Sequence, residues 1–220
     1  MIKYLLFTIL CITTLSFSQQ WEKIDSVFAP SGVLVRSFSA PAFGDLDGDG
    51  DYDLMLGALS GKAAYYKNAG SDKSAKFVRD TSFINQIYPA SDTKVNSAYP
   101  SFVDLDLDED LDLIIGGYNG LIFYENVGDI NSPEFQKVTF VFDSVNTQIG
   151  TDAKPEFGDL DNDGDPDLII GAGETFYGTG PESGVTIAFR NKSETGKIAF
   201  ELETSWTTNI PDVGYNSYPS

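Results

Sequence analysis

Three copies of an acidic nine-residue loop lie 59 and 55 residues apart, each flanked by the same short apolar runs. They predict an all-β chain, a β-propeller built from four-stranded blades of about 55 residues, with about three blades plus ends present. The copies are Asp45-Leu46-Asp47-Gly48-Asp49-Gly50-Asp51-Tyr52-Asp53, Asp104-Leu105-Asp106-Leu107-Asp108-Glu109-Asp110-Leu111-Asp112 and Asp159-Leu160-Asp161-Asn162-Asp163-Gly164-Asp165-Pro166-Asp167. No segment carries a convincing helical period. A small sheet of this kind buries its faces only against its neighbours, which is how propeller blades stack. A β-sandwich or a solenoid with decorated turns is the alternative architecture.

Within each unit the elements follow one order. A proline stands four residues before each loop (Pro41, Pro100, Pro155) and a Phe two before it (Phe43, Phe102, Phe157). After the loop comes an apolar run ending in glycine: Leu54-Met55-Leu56-Gly57, Leu113-Ile114-Ile115-Gly116 and Leu168-Ile169-Ile170-Gly171. Such short apolar runs bounded by turn residues read as buried strands. Next is an aromatic strand closing on Asn: Tyr65-Tyr66-Lys67-Asn68, Phe123-Tyr124-Glu125-Asn126 and Ala188-Phe189-Arg190-Asn191. Of the paired aromatics Tyr65, Tyr66, Phe123 and Tyr124, at least one in each pair is expected in the core between blades. Phe77, Phe135 and Phe200 each open a fourth strand. The repeats run over about 41–99, 100–154 and 155–218.

Residues 1–18 read as a signal peptide: Lys3, an apolar run from Tyr4 to Leu15, then the small residues Ser16 and Ser18. Cleavage is expected after Ser18, leaving 19–220 as the repeat domain. The only cysteine, Cys11, lies in that leader, so the exported chain has no disulfide. Leu10 is not the small residue that a lipoprotein cleavage site favours. No later run approaches the roughly 20 apolar residues of a membrane span. Trp21-Glu22-Lys23-Ile24 resembles a fourth-strand opening, and Asn216-Ser217-Tyr218-Pro219-Ser220 repeats the stretch before the second loop, Asn96-Ser97-Ala98-Tyr99-Pro100-Ser101. Both ends fit a fragment of a longer propeller, with seven blades among the closed forms expected.

With a Phe before each loop, the Asp-rich nonamer in register three times, and a Gly-Ala or Gly-Gly pair after the strand, the chain resembles the FG-GAP/VCBS repeat family, related to the propeller of integrin alpha subunits. The resemblance covers about Trp21 to Ser220. It implies a calcium-loaded hairpin between the first two strands of each blade, with up to three Ca²⁺ ions. Carried over by position, the ligands are the side chains of Asp45, Asp47, Asp49 and Asp53 with the carbonyl of Asp51. In the second loop they are Asp104, Asp106, Asp108 and Asp112 with the carbonyl of Asp110. In the third they are Asp159, Asp161, Asp163 and Asp167 with the carbonyl of Asp165. Glu109 replaces the glycine of the sixth loop position, so the second site is expected to be the weakest. An EF-hand would need a Glu at position 12 and a following helix. Position 12 is Leu56, Ile115 or Ile170, inside a strand. Merely solvated acidic turns would leave four carboxylates repelling one another without a neutralising cation.

The formal charge of −19 is concentrated in these loops and argues for cations as partners. It argues against nucleic acid, whose phosphates require Lys and Arg. The chain has no histidine, and the exported part has no cysteine, which excludes Ser-His and Cys-His nucleophiles and His-ligated zinc among these residues. No catalytic residue is assigned, and the calcium reads as structural. The expected function is an exported binding or adhesion module for a protein or polysaccharide, secreted or held at a bacterial cell surface. The rival is a propeller belonging to a carbohydrate-active enzyme, a lyase or hydrolase working through paired acids. A longer connection in the third repeat, about Gly173 to Gly184, carries Phe176 and Tyr177. It could stack on a sugar, though a longer hairpin is the plainer reading.

Overall fold

The computed structural model describes residues 33, 39–87, 97–173, 185–194 and 197–208. The leader, Trp21–Ile24, the aromatic insertion at Phe176 and Tyr177, and the repeat at Asn216–Ser220 lie outside the described residues. Within them are three antiparallel four-stranded sheets. The first runs β1 (Ala40–Gly44), β2 (Asp53–Gly57), β3 (Ala64–Asn68) and β4 (Phe77–Asp80), followed by a short helix α1 (Ser82–Ile87). The second is β5 (Tyr99–Val103), β6 (Asp112–Gly117), β7 (Gly120–Asn126) and β8 (Phe135–Val138), followed by α2 (Asp143–Asn146). The third is β9 (Lys154–Gly158), β10 (Asp167–Ala172), β11 (Val185–Asn191) and β12 (Phe200–Leu202). Each sheet is ordered sequentially, with its first strand beside the first strand of the next sheet. This arrangement of three four-stranded antiparallel sheets is consistent with propeller-like blades.

Period-two alternation decides which side chains meet. In the central sheet every residue of β6 is buried, because neighbouring sheets cover both faces. Leu113 and Ile115 turn toward the first sheet, where they join Met55, Tyr65, Tyr124 and Phe135 in one core. Ile114 and Phe123 turn the other way, into a core with Leu168, Ile170, Phe189 and Phe200. Both members of each aromatic pair are therefore buried, on opposite faces of their sheet. Each such side chain contributes about 1.5–3 kcal/mol of apolar burial.

The two helices depart from the all-strand reading. They hold only 6 and 4 residues, too few to show a period, and segments that short do not persist alone in water. Packing holds them. Phe83 of α1 stacks at a tilt on Tyr65, 4.3 Å between centroids, and meets Phe135 edge-on at 5.0 Å. Phe142, just before α2, stacks on Phe200 at 5.6 Å. Each helix thus plugs the core between two sheets.

Candidate metal centres

Each acidic loop connects the first two strands of its sheet, where the sequence placed it. The turn is closed by its own carboxylates. Position 1 accepts a hydrogen bond from the amide of position 6: Gly50 to Asp45 at 3.0 Å, Glu109 to Asp104 at 3.0 Å and Gly164 to Asp159 at 3.1 Å. Position 5 accepts from the amide of position 7, as Asp51 donates to Asp49 at 3.2 Å, Asp110 to Asp108 at 3.2 Å and Asp165 to Asp163 at 3.3 Å. The sixth residue is left-handed in all three, with φ 90° at Gly50, 76° at Glu109 and 98° at Gly164. Only Glu109 meets steric strain there, of about 1 kcal/mol.

The ninth residue does different work from the others. Asp53, Asp112 and Asp167 are buried, and both oxygens of each accept backbone amides of their own sheet. One oxygen takes the amide of the strand-closing Asn, from Asn68 at 2.7 Å, Asn126 at 2.8 Å and Asn191 at 2.8 Å. The other takes the amide of position 2, from Leu46 at 3.4 Å, Leu105 at 3.1 Å and Leu160 at 2.9 Å. In the first sheet the Tyr65 hydroxyl also donates to Asp53, at 2.6 Å. The Asn side chains continue the clamp. Asn126 accepts from Gly128 at 3.1 Å and Glu134 at 2.9 Å, and Asn68 accepts from Gly70 at 3.1 Å and Lys76 at 2.8 Å.

Carboxylates converge in each loop, one oxygen from each of three residues lying within 4.8 Å of the others. The trios are Asp45, Asp47 and Asp49; Asp104, Asp106 and Asp108; and Asp159, Asp161 and Asp167. The first two loops bring together positions 1, 3 and 5, whereas the third brings together 1, 3 and 9. Asp53, Asp112 and Asp163 stand outside these trios.

The donor set fits a hard cation. Buried oxygens of Asp45, Asp47, Asp51, Asp110, Asp161 and Asp165 accept no hydrogen bond, an arrangement that a divalent ion would satisfy. Position 7 contributes such an oxygen in all three loops, from the side chains of Asp51, Asp110 and Asp165. Burial, followed by repulsion from Asp108, pushes the Asp110 carboxyl up to about 6, and burial followed by Asp163 does the same to Asp165. Burial raises Asp112 to about 7 despite its amide bonds.

Two cations that the sequence reading did not assign also reach the loops. Lys67 forms an ion pair with Asp47, and Arg190 forms one with Asp161. Arg190 also bonds Glu203 at 3.3 Å and lies over the Trp206 ring at 4.8 Å. In the second sheet the matching residue is Glu125. It lines a cavity of about 550 Å³ together with Asp106 and Phe123 from its own sheet and Asp165, Asn191 and Lys197 from the third. The only sequence signal for these residues was their place, one before the strand-closing Asn.

Among the described residues no helix is long and apolar enough to cross a membrane. Residues 104–170 match the family of FG-GAP-like repeats. The matched stretch runs from the second acidic loop to the strand after the third. No curated protein matches the chain.

Proposed function

We propose, from the FG-GAP-like repeat at 104–170, that this chain is an exported, calcium-stabilised binding module of the propeller type, whose ligand is a protein or a polysaccharide. The observation that carries the metal reading is the set of buried carboxylate oxygens without partners in three matching loops. Calcium suits them because it takes six to eight oxygen ligands in flexible geometry. The residues that would hold it are the side chains at loop positions 1, 3 and 5, helped by the carbonyls of Asp51, Asp110 and Asp165 and by the ninth-position carboxylates. Bound there, the ion would neutralise the loop and cross-link the first two strands of each blade. That role is structural, and we read the module as non-enzymatic, with recognition carried by loops of successive blades. A closed propeller would supply the continuous face on which such loops gather.

Thermal unfolding of the full chain in millimolar calcium and in EDTA tests this, with Asp49→Ala and Asp163→Ala beside it. An ion that binds only the native state adds about 2.7 kcal/mol per site at a hundredfold excess over Kd. Calcium should raise the melting temperature, and each variant should lose part of the rise. A melting temperature indifferent to calcium in a chain that circular dichroism shows to be folded would refute the reading. Glycan-array binding without product release then separates a binding module from a polysaccharide-cleaving enzyme.

A further inference from the structure

We propose that the residue preceding the strand-closing Asn sets the calcium affinity of each loop: Lys67 and Arg190 are tethered cations that compete with the ion in the first and third loops, and Glu125 makes the second loop the tightest site. The proposal rests on the calcium reading above.

The three residues occupy one place in the fold. Lys67 pairs across to Val78, Glu125 to Gln136 and Arg190 to Glu201, always one residue before the Asn that bonds the ninth-position Asp. From that place both basic side chains reach the same target, the third-position carboxylate, Asp47 in one loop and Asp161 in the other. An ion entering either loop must share that carboxylate with an ammonium or guanidinium group, or displace it. In the second loop the third-position carboxylate is Asp106, and Glu125 opens onto the same cavity. The second loop therefore has a carboxylate where the others have a cation. Asp110 points independently to a ligand there: it is only 6% exposed, and its Oδ1 accepts no hydrogen bond beside Asp104, Asp106 and Asp108. Ligand charge is a main determinant of calcium affinity in oxygen sites.

Glu109 acts on a different quantity. Its left-handed backbone already exists with the loop closed, the Glu109 amide bonding Asp104 at 3.0 Å and the Asp108 amide bonding Asp104 at 3.1 Å. Strain carried equally by the free and loaded loops lowers the stability of both and leaves affinity unchanged. Charge then reverses the order expected from the missing glycine.

Calorimetric titration of the full chain with calcium, in the wild type and in Lys67→Gln, Arg190→Gln and Glu125→Gln, tests the proposal. The side chain of Lys67 is 45% exposed, whereas that of Arg190 is 29% exposed and also holds Glu203 and Trp206, so circular dichroism of each variant establishes that it is folded before the titration is read. The wild type should show one tight and two weaker sites. Lys67→Gln and Arg190→Gln should each tighten one weak site about tenfold, and Glu125→Gln should loosen the tight one about tenfold. Three equal sites, or affinities untouched by all three substitutions, would overturn the ranking and leave the calcium reading standing. Absence of calcium binding by the folded wild type would overturn both.

Discussion

Glu109 isolates a cost that its counterparts avoid. Gly50 and Gly164 take the same left-handed backbone freely, so Glu109→Gly should stabilise the chain by about 1 kcal/mol, less the extra freedom glycine gives the unfolded chain. Chemical denaturation in EDTA measures this directly, and a destabilised variant would show that Glu109 makes a compensating contact. Much of the residue scale was legible in advance. The spacing of the acids gave the loops, and the glycines gave the sixth position its handedness. The division of labour within the nonamer was not legible, since an aspartate that clamps backbone amides and one that offers a free oxygen are the same letter. Asp53, Asp112 and Asp167 declared themselves only through Asn68, Asn126 and Asn191, which lie in another strand. Tyr65 and Lys67 were likewise visible as strand residues but not as partners of the loop.

At the scale of the element, the strand-ending glycines are points of contact between sheets. A Cβ on Gly57 would lie 1.9 Å from the carbonyl oxygen of Ala98, and one on Gly116 would lie 2.2 Å from that of Ala153. Backbone bonds seal the same seam, Ala98 donating to Ala58 at 3.0 Å and Ala153 to Gly117 at 3.0 Å. Gly57→Ala should therefore destabilise by about 3 kcal/mol. Gly158→Ala, whose Cβ would meet nothing within 4 Å, should change stability little. Equal losses in the two variants, compared by urea denaturation, would exclude this explanation. The second strands β2, β6 and β10 lie where the apolar runs placed them, because two-sided burial writes itself into sequence as a continuous apolar stretch. The third strands follow the aromatic segments that close on Asn, and the fourth open at Phe77, Phe135 and Phe200 as read. The helices α1 and α2 escaped, because their conformation comes from Phe83, Ile87 and Val145 seated between sheets and not from local propensity.

Across the whole molecule the acidic loops govern the response to pH. Asp112 titrates at about 7 and Asp110 and Asp165 at about 6, against about 3.9 in an unfolded chain. The folded state holds these protons over an interval in which the unfolded state has released them. The associated stability is complete below the unfolded value and is lost as pH rises through 6 to 7. In EDTA the melting temperature should fall between about pH 5 and 7.5. Calcium should reverse that slope, because its ligands are the deprotonated carboxylates. A metal-free melting temperature that climbs over the same range would contradict the assignment of buried, proton-holding acids. The ninth-position clamps have a consequence for how such a chain can grow. Each network of Asp, strand-closing Asn and loop amides is complete within one sheet, whereas the apolar cores form between sheets. A duplicated stretch of gene would bring its polar wiring with it already solved. The newcomer would have to negotiate only oily surfaces, which tolerate approximate fits, so lengthening by copying is an easy evolutionary step for this architecture.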